Sequence, residues 1–180
     1  TARLFGSGCV TVGKAFGCSR VPAVKGQSLP AYDPRALKGM GVTCATSPMG
    51  ADHTAGPAQP SVGKVDTLKP EGQVELSRNL QIWTAILDNT GLCLYTAPSF
   101  GTVRFATQLT NALYGLSIES EDLLNIGKEI LKMEVSFNEA AGINEEANDV
   151  PFYMRKEALP QTGTVFDVSK EEMKSIHSYI

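Results

Sequence analysis

The amino-acid sequence predicts an all-α fold, an irregular multihelical bundle with long loops. Three observations predict it: apolar residues recur at helical spacing in the longest segments, capping residues stand at the ends of those segments, and strand-like alternation is sparse. The chain has 180 residues, 42% of them hydrophobic. At that length, about 70% of the unfolded surface can be buried without disulfides or metals. The expected core is therefore built from packed helices.

The first helical signal covers residues 3–16 and is interrupted by Gly6, Gly8 and Gly13. Residues 21–30 contain two prolines and a glycine, so we expect an extended connector there. Asp33-Pro34 then predicts a helix start, because Asp33 can cap the first amides and Pro34 suits the first helical position.

The helix that we expect after Asp33 ends near Pro48 and is rich in small residues, including Gly39 and Gly41. Small residues let another element approach a helix closely, and we expect that element to lie outside this chain. Asp52-His53 follows, before a loop that runs to Pro70. This predicts a partial helical subdomain, residues 1–70, that carries Asp52-His53, and a C-terminal helical domain, residues 71–180.

Residues 71–87 predict a long helix with one apolar stripe, formed by Leu76, Leu80, Trp83 and Leu87. Gly91 is its expected left-handed cap. A second helix is expected from Ser99 to Gly115, and Ser117 is expected to cap a third over residues 119–140. The stripe of that third helix is Leu123, Ile126, Ile130, Met133 and Phe137. Trp83, Phe105 and Phe137 are expected in the core.

The C-terminal segment is predicted to be mostly irregular. Residues 150–152 favour an extended piece, because Pro151 stands at their centre. Ser169 and Glu172 have the spacing of a capping box, which predicts a last helix over residues 170–176.

Residues 88–93, with the sequence DNTGLC, place a carboxylate and a thiol around a glycine turn. The Asp88 carboxylate can accept hydrogen bonds from an amino-purine or pterin-like edge, and the Cys93 thiolate can ligate iron or zinc. Structural alternatives are equally open at this point. Asp88 can simply anchor the turn, Cys93 can be a buried small hydrophobe, and His53 can be a capping or surface residue.

The four cysteines, Cys9, Cys18, Cys44 and Cys93, include no Cys-x-x-Cys pair. We expect reduced thiols, with Cys9, Cys18 and Cys44 as small hydrophobes, and a complete zinc or iron–sulfur site would need ligands from outside the chain. The net charge of −3 offers no field for nucleic acid. No apolar run reaches the about 20 residues that span a bilayer. The start at Thr1 suggests a piece of a longer, cytoplasmic polypeptide.

Four segments together resemble one family. They are VKGQSLPAYDP at residues 24–34, YDPRALKGMG at 32–41, ATSPMGADH at 45–53 and DNTGLC at 88–93. In this order and spacing they are similar to the C-terminal part of the aldehyde:ferredoxin oxidoreductase family of tungsten or molybdenum enzymes. The resemblance continues through the helical segment 109–137 and the Leu159-Pro160 loop, so it covers nearly the whole chain.

The resemblance implies a tungstopterin or molybdopterin cofactor beside a [4Fe-4S] cluster, in an enzyme that oxidises aldehydes to carboxylic acids and passes electrons to ferredoxin. The family motif Asp-x-x-Gly-Leu-Cys maps onto Asp88, Gly91, Leu92 and Cys93. Asp88 would hydrogen-bond a pterin, the Leu92 backbone would help to hold it, and Cys93 would ligate cluster iron. His53 matches a histidine near the metal, where it would move a proton or hydrogen-bond the substrate oxygen.

The resemblance also implies what this chain lacks. The other cluster cysteines and the second pterin motif would belong to the N-terminal part of the parent chain, so the fragment alone would be inactive, and the parent can form a homo-oligomer. Cys44 and the GADH sequence at residues 50–53 depart from many relatives, which leaves the aldehyde unidentified. Two alternatives stay open: a related tungstopterin enzyme with a different substrate, such as a carboxylate or a ring that it reduces, and a helical interaction or scaffold module without cofactor.

Overall fold

A computed structural model describes residues 1–96 and 103–179, and over these residues the predicted all-α, multihelical fold is confirmed. The α-helices are α1 (Ala2–Phe5), α2 (Cys9–Ala15), α3 (Lys38–Thr46), α4 (Gln73–Thr90), α5 (Val103–Tyr114), α6 (Ser120–Ala140), α7 (Phe152–Lys156) and α8 (Lys170–Lys174). Short 3-10 turns cover Leu94–Thr96, Glu145–Ala147 and Ser175–His177. The strands β1 (Ala23–Val24) and β2 (Gln27–Ser28) pair antiparallel. None of the described helices is long and apolar enough to cross a membrane.

The N-terminal segment differs from the prediction in two places. The single helix expected over residues 3–16 is divided into α1 and α2, because Gly8 adopts a φ of 86° that interrupts the helical backbone. The expected connector contains a hairpin in which Val24 pairs with Gln27.

Helix α3 begins later than predicted, at Lys38. The cause is the predicted cap itself: Asp33 accepts the Arg35 N–H with its carboxylate and the Leu37 N–H with its backbone carbonyl, which forms a separate turn. Every residue of α3 is buried. The close packing expected at its glycines is confirmed, but the neighbours lie within this chain and not outside it. A Cβ on Gly41 would lie 2.6 Å from Phe166, and one on Gly39 would lie 2.6 Å from Gln73.

Helix α4 is the central element, since it packs against both α3 and α6. It starts at Gln73, and its predicted stripe is only partly correct, because Leu87 is buried whereas Leu76, Leu80 and Trp83 are half-buried. The side facing α3 is polar instead. There Thr43, Thr46, Ser77 and Gln81 form a buried hydrogen-bond network. Such a face carries no apolar signal in the sequence.

Helix α6 follows a capping box formed by Glu119 and Asp122, so the prediction that Ser117 caps it is wrong. The predicted apolar stripe of α6 is buried at Leu123, but Phe137 is 73% exposed. The prediction that Phe137 lies in the core is therefore also wrong. The close approach of Gly127 to α4 turns the buried face toward Leu123, Gly127 and Leu131.

The C-terminal segment closes the core over α3. Helix α7 takes only Phe152 from the extended piece expected at residues 150–152, since Pro151 has an extended backbone with φ −51° and ψ 135°. The Ser169–Glu172 capping box is confirmed. The main apolar cluster comprises Val42, Ala45, Val74, Val150, Met154, Phe166, Val168, Met173 and Ile176. Ser99 lies outside the described residues, and α5 ends before Gly115, at φ 65°. The division of the chain near residue 70 stays a prediction.

Candidate functional site

The end of α4 presents the predicted site residues. Gly91 adopts φ 71°, which confirms the expected left-handed cap. Its N–H donates to the Asp88 carbonyl at 3.2 Å, and the Leu92 N–H donates to the Leu87 carbonyl at 2.9 Å. This pair of bonds is the Schellman arrangement that ends a helix. The Leu92 N–H is therefore engaged within the turn and is not available to a ligand.

The Asp88 side chain lies at the rim of a cleft between α4, α6 and the loop after α3, with a volume of about 200 Å³. Its polar lining includes Gln81, Thr84, Asp88, Asn89 and Glu134. Met49, Ile130 and Leu131 give the same cleft an apolar wall. Among the described residues, nothing donates a hydrogen bond to the Asp88 carboxylate, which argues against the alternative that its side chain anchors the turn.

Two buried acceptors in this cleft are unsatisfied. Gln81 Oε1 and Thr84 Oγ1 have no hydrogen-bond partner in the described part of the chain. Gln81 is 1% exposed and Thr84 is 3% exposed. The Gln81 amide nitrogen is fully used, because it donates to Thr46 Oγ1 at 2.9 Å and to Ser77 Oγ at 3.1 Å. A buried polar atom without a partner is costly, and an ordered water or a bound molecule is what usually satisfies it.

The carboxylates around the cleft raise one another's proton affinity. Desolvation raises the pKa of Asp88, and the Asp52 carboxylate raises it further. Desolvation likewise raises the pKa of Glu134, with a second contribution from Asp88. A site of this kind favours a ligand that donates several hydrogen bonds.

His53 lies apart from the residues that line the cleft. Its ring packs against Tyr32 with 5.5 Å between the ring centroids, and its Nδ1 is 3.8 Å from Asp52 Oδ1. Asp52 also accepts the N–H and the hydroxyl of Thr54. The Asp52 carboxylate beside His53 also raises the pKa of Asp88.

Cys93 is exposed, so the alternative of a buried small hydrophobe is wrong for this residue, and Cys18 is exposed as well. Cys44 is fully buried, and burial together with Asp52 raises the pKa of its thiol to about 12. That thiol fits the expected small hydrophobe. No group of three or more His, Cys, Asp or Glu side chains in the described residues is arranged to hold a metal ion.

Sequence reasoning found Asp88 but missed Gln81, Thr84 and Glu134. Gln81 and Thr84 could have been predicted from the sequence, because with Asp88 they occupy positions i, i+3 and i+7 and therefore share a helix face. Glu134 joins them only through the crossing of α4 and α6, which has no sequence signal.

Comparison with known proteins gives a consistent result. Residues 1–178 match the family model described as aldehyde ferredoxin oxidoreductase, domains 2 and 3. A tungsten-containing aldehyde ferredoxin oxidoreductase from Pyrococcus abyssi is 34% identical over 145 residues, which cover 77% of this chain and 24% of that relative. The corresponding protein from Pyrococcus horikoshii is 32% identical over 155 residues, covering 82% of this chain and 25% of that relative. The chain thus spans about a quarter of the length of the curated relatives that it matches.

Proposed function

The chain belongs to the aldehyde ferredoxin oxidoreductase family, and we propose that it is one part of a longer enzyme that oxidises aldehydes to carboxylic acids. In this proposal electrons leave through a [4Fe-4S] cluster to ferredoxin, the parent chain acts in the cytoplasm and can form a homo-oligomer, and the fragment alone is inactive. The N-terminal part of the same parent chain would complete the site. The observation that carries the proposal is the cleft at Asp88, where the Asp88 carboxylate accepts no hydrogen bond from the described residues.

The residues of the cleft fit the edge of a pterin. A pterin presents an amino group and a ring N–H side by side, which together donate to a carboxylate. Asp88 offers that carboxylate at the cleft, and the unsatisfied Gln81 Oε1 and Thr84 Oγ1 are buried in the wall of the same cleft. When bound, the tungstopterin supplies the redox chemistry of aldehyde oxidation. The role of these residues is to bind and orient it.

Gly91 and Leu92 contribute through the backbone. Gly91 allows the chain to turn directly after Asp88, because its φ of 71° suits glycine. Since the Leu92 N–H bonds to Leu87, the group left for the cofactor is the Leu92 carbonyl.

Cys93 is proposed as one ligand of the cluster. It is exposed just beyond the turn, where a thiolate can meet iron whose other ligands come from the N-terminal part of the parent. The absence of a Cys-x-x-Cys pair in this sequence is consistent with a single contributed ligand.

His53 is proposed as the catalytic residue. Its side chain is 39% exposed and its Nδ1 is 3.8 Å from the Asp52 carboxylate, so its ring is open to a substrate while Asp52 lies beside it and can orient it. In this proposal the rest of the parent enzyme holds the metal next to His53.

The proposal predicts that Asp88→Asn in the full-length enzyme reduces bound pterin and tungsten per polypeptide. We expect a loss of about tenfold in cofactor retention, because an uncharged amide replaces the charge-assisted bonds to the pterin edge. The measurement is tungsten by elemental analysis and pterin by fluorescence after oxidative release. Glu75→Gln, an exposed acid near the start of the same helix, is the matched control. Full cofactor content in Asp88→Asn would contradict the proposed role of Asp88, whereas a wild-type enzyme without pterin and tungsten would favour a scaffold module.

A further inference from the structure

Lys25 has an unusual backbone conformation. It lies in the two-residue turn between β1 and β2, with φ 48°, followed by Gly26 with φ 82°. Positive φ at both positions is typical of a type I′ turn, which favours asparagine and glycine. Among the described residues Lys25 is the only one other than glycine with positive φ. Such strain persists only where surrounding contacts hold the residue in place.

The Lys25 amine supplies those contacts. Its Nζ donates to the Ala45 carbonyl at 3.1 Å and to the Ser47 carbonyl at 2.8 Å. Both carbonyls lie at the C-terminal end of α3, where backbone acceptors lack helical partners and a cation is favoured. No carboxylate of the described residues lies within ion-pair distance of this amine, and burial lowers the pKa of Lys25 to about 8. The amine therefore serves the backbone after α3 and not an acid.

The segment that Lys25 holds, residues 47–53, is fixed on two sides. The Gly50 N–H donates to the same Ser47 carbonyl at 3.0 Å. Gly50 also packs against the hairpin, since a Cβ built there would lie 3.6 Å from Lys25 Cβ. From α6, Asn138 Nδ2 donates to the Pro48 carbonyl at 2.8 Å. The hairpin and α6 thus hold the segment between them.

The same segment leads directly to the candidate catalytic histidine. The Asp52 N–H donates to the Gly50 carbonyl at 2.7 Å, so a shift of Gly50 moves Asp52 and His53 with it. We propose that Lys25 is a positioning residue whose amine fixes residues 47–53 and thereby the orientation of His53. This inference rests on the proposed function of His53, whereas the fixing of the segment can be measured without it.

The test uses five variants of the full-length enzyme, four at lysines and His53→Gln. Lys25→Met keeps an unbranched side chain one atom shorter and the turn strain but removes the donors. Lys25→Gly removes the donors and the strain, Lys25→Arg keeps the donors, and Lys64→Met, at an exposed lysine, is the control. Hydrogen–deuterium exchange of a peptide covering residues 47–53 is measured together with kcat/KM for an aldehyde and tungsten and iron content.

We expect exchange of that peptide to rise about tenfold in Lys25→Met and Lys25→Gly, with wild-type exchange in Lys64→Met and near wild-type exchange in Lys25→Arg. The aldehyde kcat/KM falls in the same two variants at unchanged metal content. Unchanged or slower exchange in Lys25→Gly would overturn the inference, because it would mean that Lys25 is only a strained turn residue. Faster exchange at unchanged kcat/KM would overturn the positioning role if His53→Gln abolishes turnover. If His53→Gln also leaves turnover unchanged, the proposed function of His53 fails, while the faster exchange still supports the fixing of the segment.

Discussion

Asp88 stands where a carboxylate is unfavourable for the fold. It is one turn or less from the C-terminal end of α4, and a negative charge there opposes the helix dipole. Desolvation and Asp52 add to the cost, since both raise the pKa of Asp88. An exposed carboxylate that opposes the dipole of its own helix does not stabilise the fold, which is consistent with the proposed binding role.

The raised pKa values of Asp88 and Glu134 predict a specific pH dependence of stability. A carboxyl group whose pKa is raised on folding binds more protons in the folded state than in the unfolded state. Its contribution therefore favours folding at low pH and is lost as the pH rises from about 4 through the raised pKa. We expect the free energy of unfolding of the wild-type chain to fall over this range relative to an Asp88→Asn, Glu134→Gln double variant.

Urea denaturation of both proteins at a series of pH values from 4 to 8 measures this difference. Glu129→Gln, on the exposed side of α6, is the control and should leave the pH dependence as in wild type. A wild-type curve parallel to that of the double variant would show that the cleft does not desolvate these acids.

At the residue scale, sequence reasoning located Asp88 because a carboxylate, a glycine turn and a thiol stand close together in the chain. Local order in sequence is enough for such a motif. Glu134 and the link from Asp52 to Asp88 depend on residues far apart in sequence, whose proximity is a result of helix packing. No single-sequence pattern encodes that proximity.

Helix α4 joins two contrasting interfaces. Toward α3 it offers Ser77 and Gln81, hydrogen-bonded to Thr43 and Thr46. Toward α6 it offers Ile82 and Ile86, which belong to an apolar cluster with Leu123 and Leu131. The hydrogen bonds of the polar interface specify the register of α3 against α4, because each bond forms in only one register.

A substitution at Gly127 tests the apolar interface between α4 and α6. A Cβ at this position would lie 2.9 Å from both the Ile82 carbonyl oxygen and Ile86 Cγ1. Gly127→Ala gains about 1 kcal/mol of helix propensity, but separating α4 from α6 costs about 1–3 kcal/mol. We expect the free energy of unfolding to fall by about 1 kcal/mol, as measured by urea denaturation. Ser136→Ala, at an exposed position of α6, should be neutral or slightly stabilising; a similar gain in Gly127→Ala would refute the close crossing.

At the element scale, helix existence was predictable and helix faces were not. The long helices α4 and α6 follow from periodicity and caps, and the glycine-rich α3 was correctly expected to pack closely. The stripe ending in Phe137 was misleading, because Phe137 lies beside the loop residues Pro48 and Met49 and stays 73% exposed. The start of α3 was misplaced because Asp33 caps a turn instead of the helix.

The described part of the chain has its own packed core and carries its candidate cofactor residues at the surface. Its glycine-rich helix α3 is covered by its own C-terminal segment, with Phe166 against Gly41. Its candidate cofactor residues lie at the C-terminal end of α4, where Asp88 and Cys93 are exposed. This arrangement suits a unit that folds around its own core and offers one pterin contact and one thiolate to the rest of a parent enzyme.

The fold class was predictable from apolar periodicity and caps, and the family from four motifs that occur in a fixed order, because neither signal depends on tertiary contacts. The role of Lys25 was not predictable, because it depends on how close a hairpin turn lies to the end of α3 in the folded chain.

The central claim is that this chain provides one ligand to a cluster completed elsewhere, and cluster iron in the full-length enzyme tests it most directly. Cys93→Ala is compared with Cys18→Ala, a second exposed cysteine, by measuring iron per polypeptide and the electron paramagnetic resonance signal of the reduced [4Fe-4S] cluster. The account predicts that Cys93→Ala loses most of the iron and the signal, whereas Cys18→Ala retains both. Undiminished iron and an unchanged signal in Cys93→Ala would contradict it.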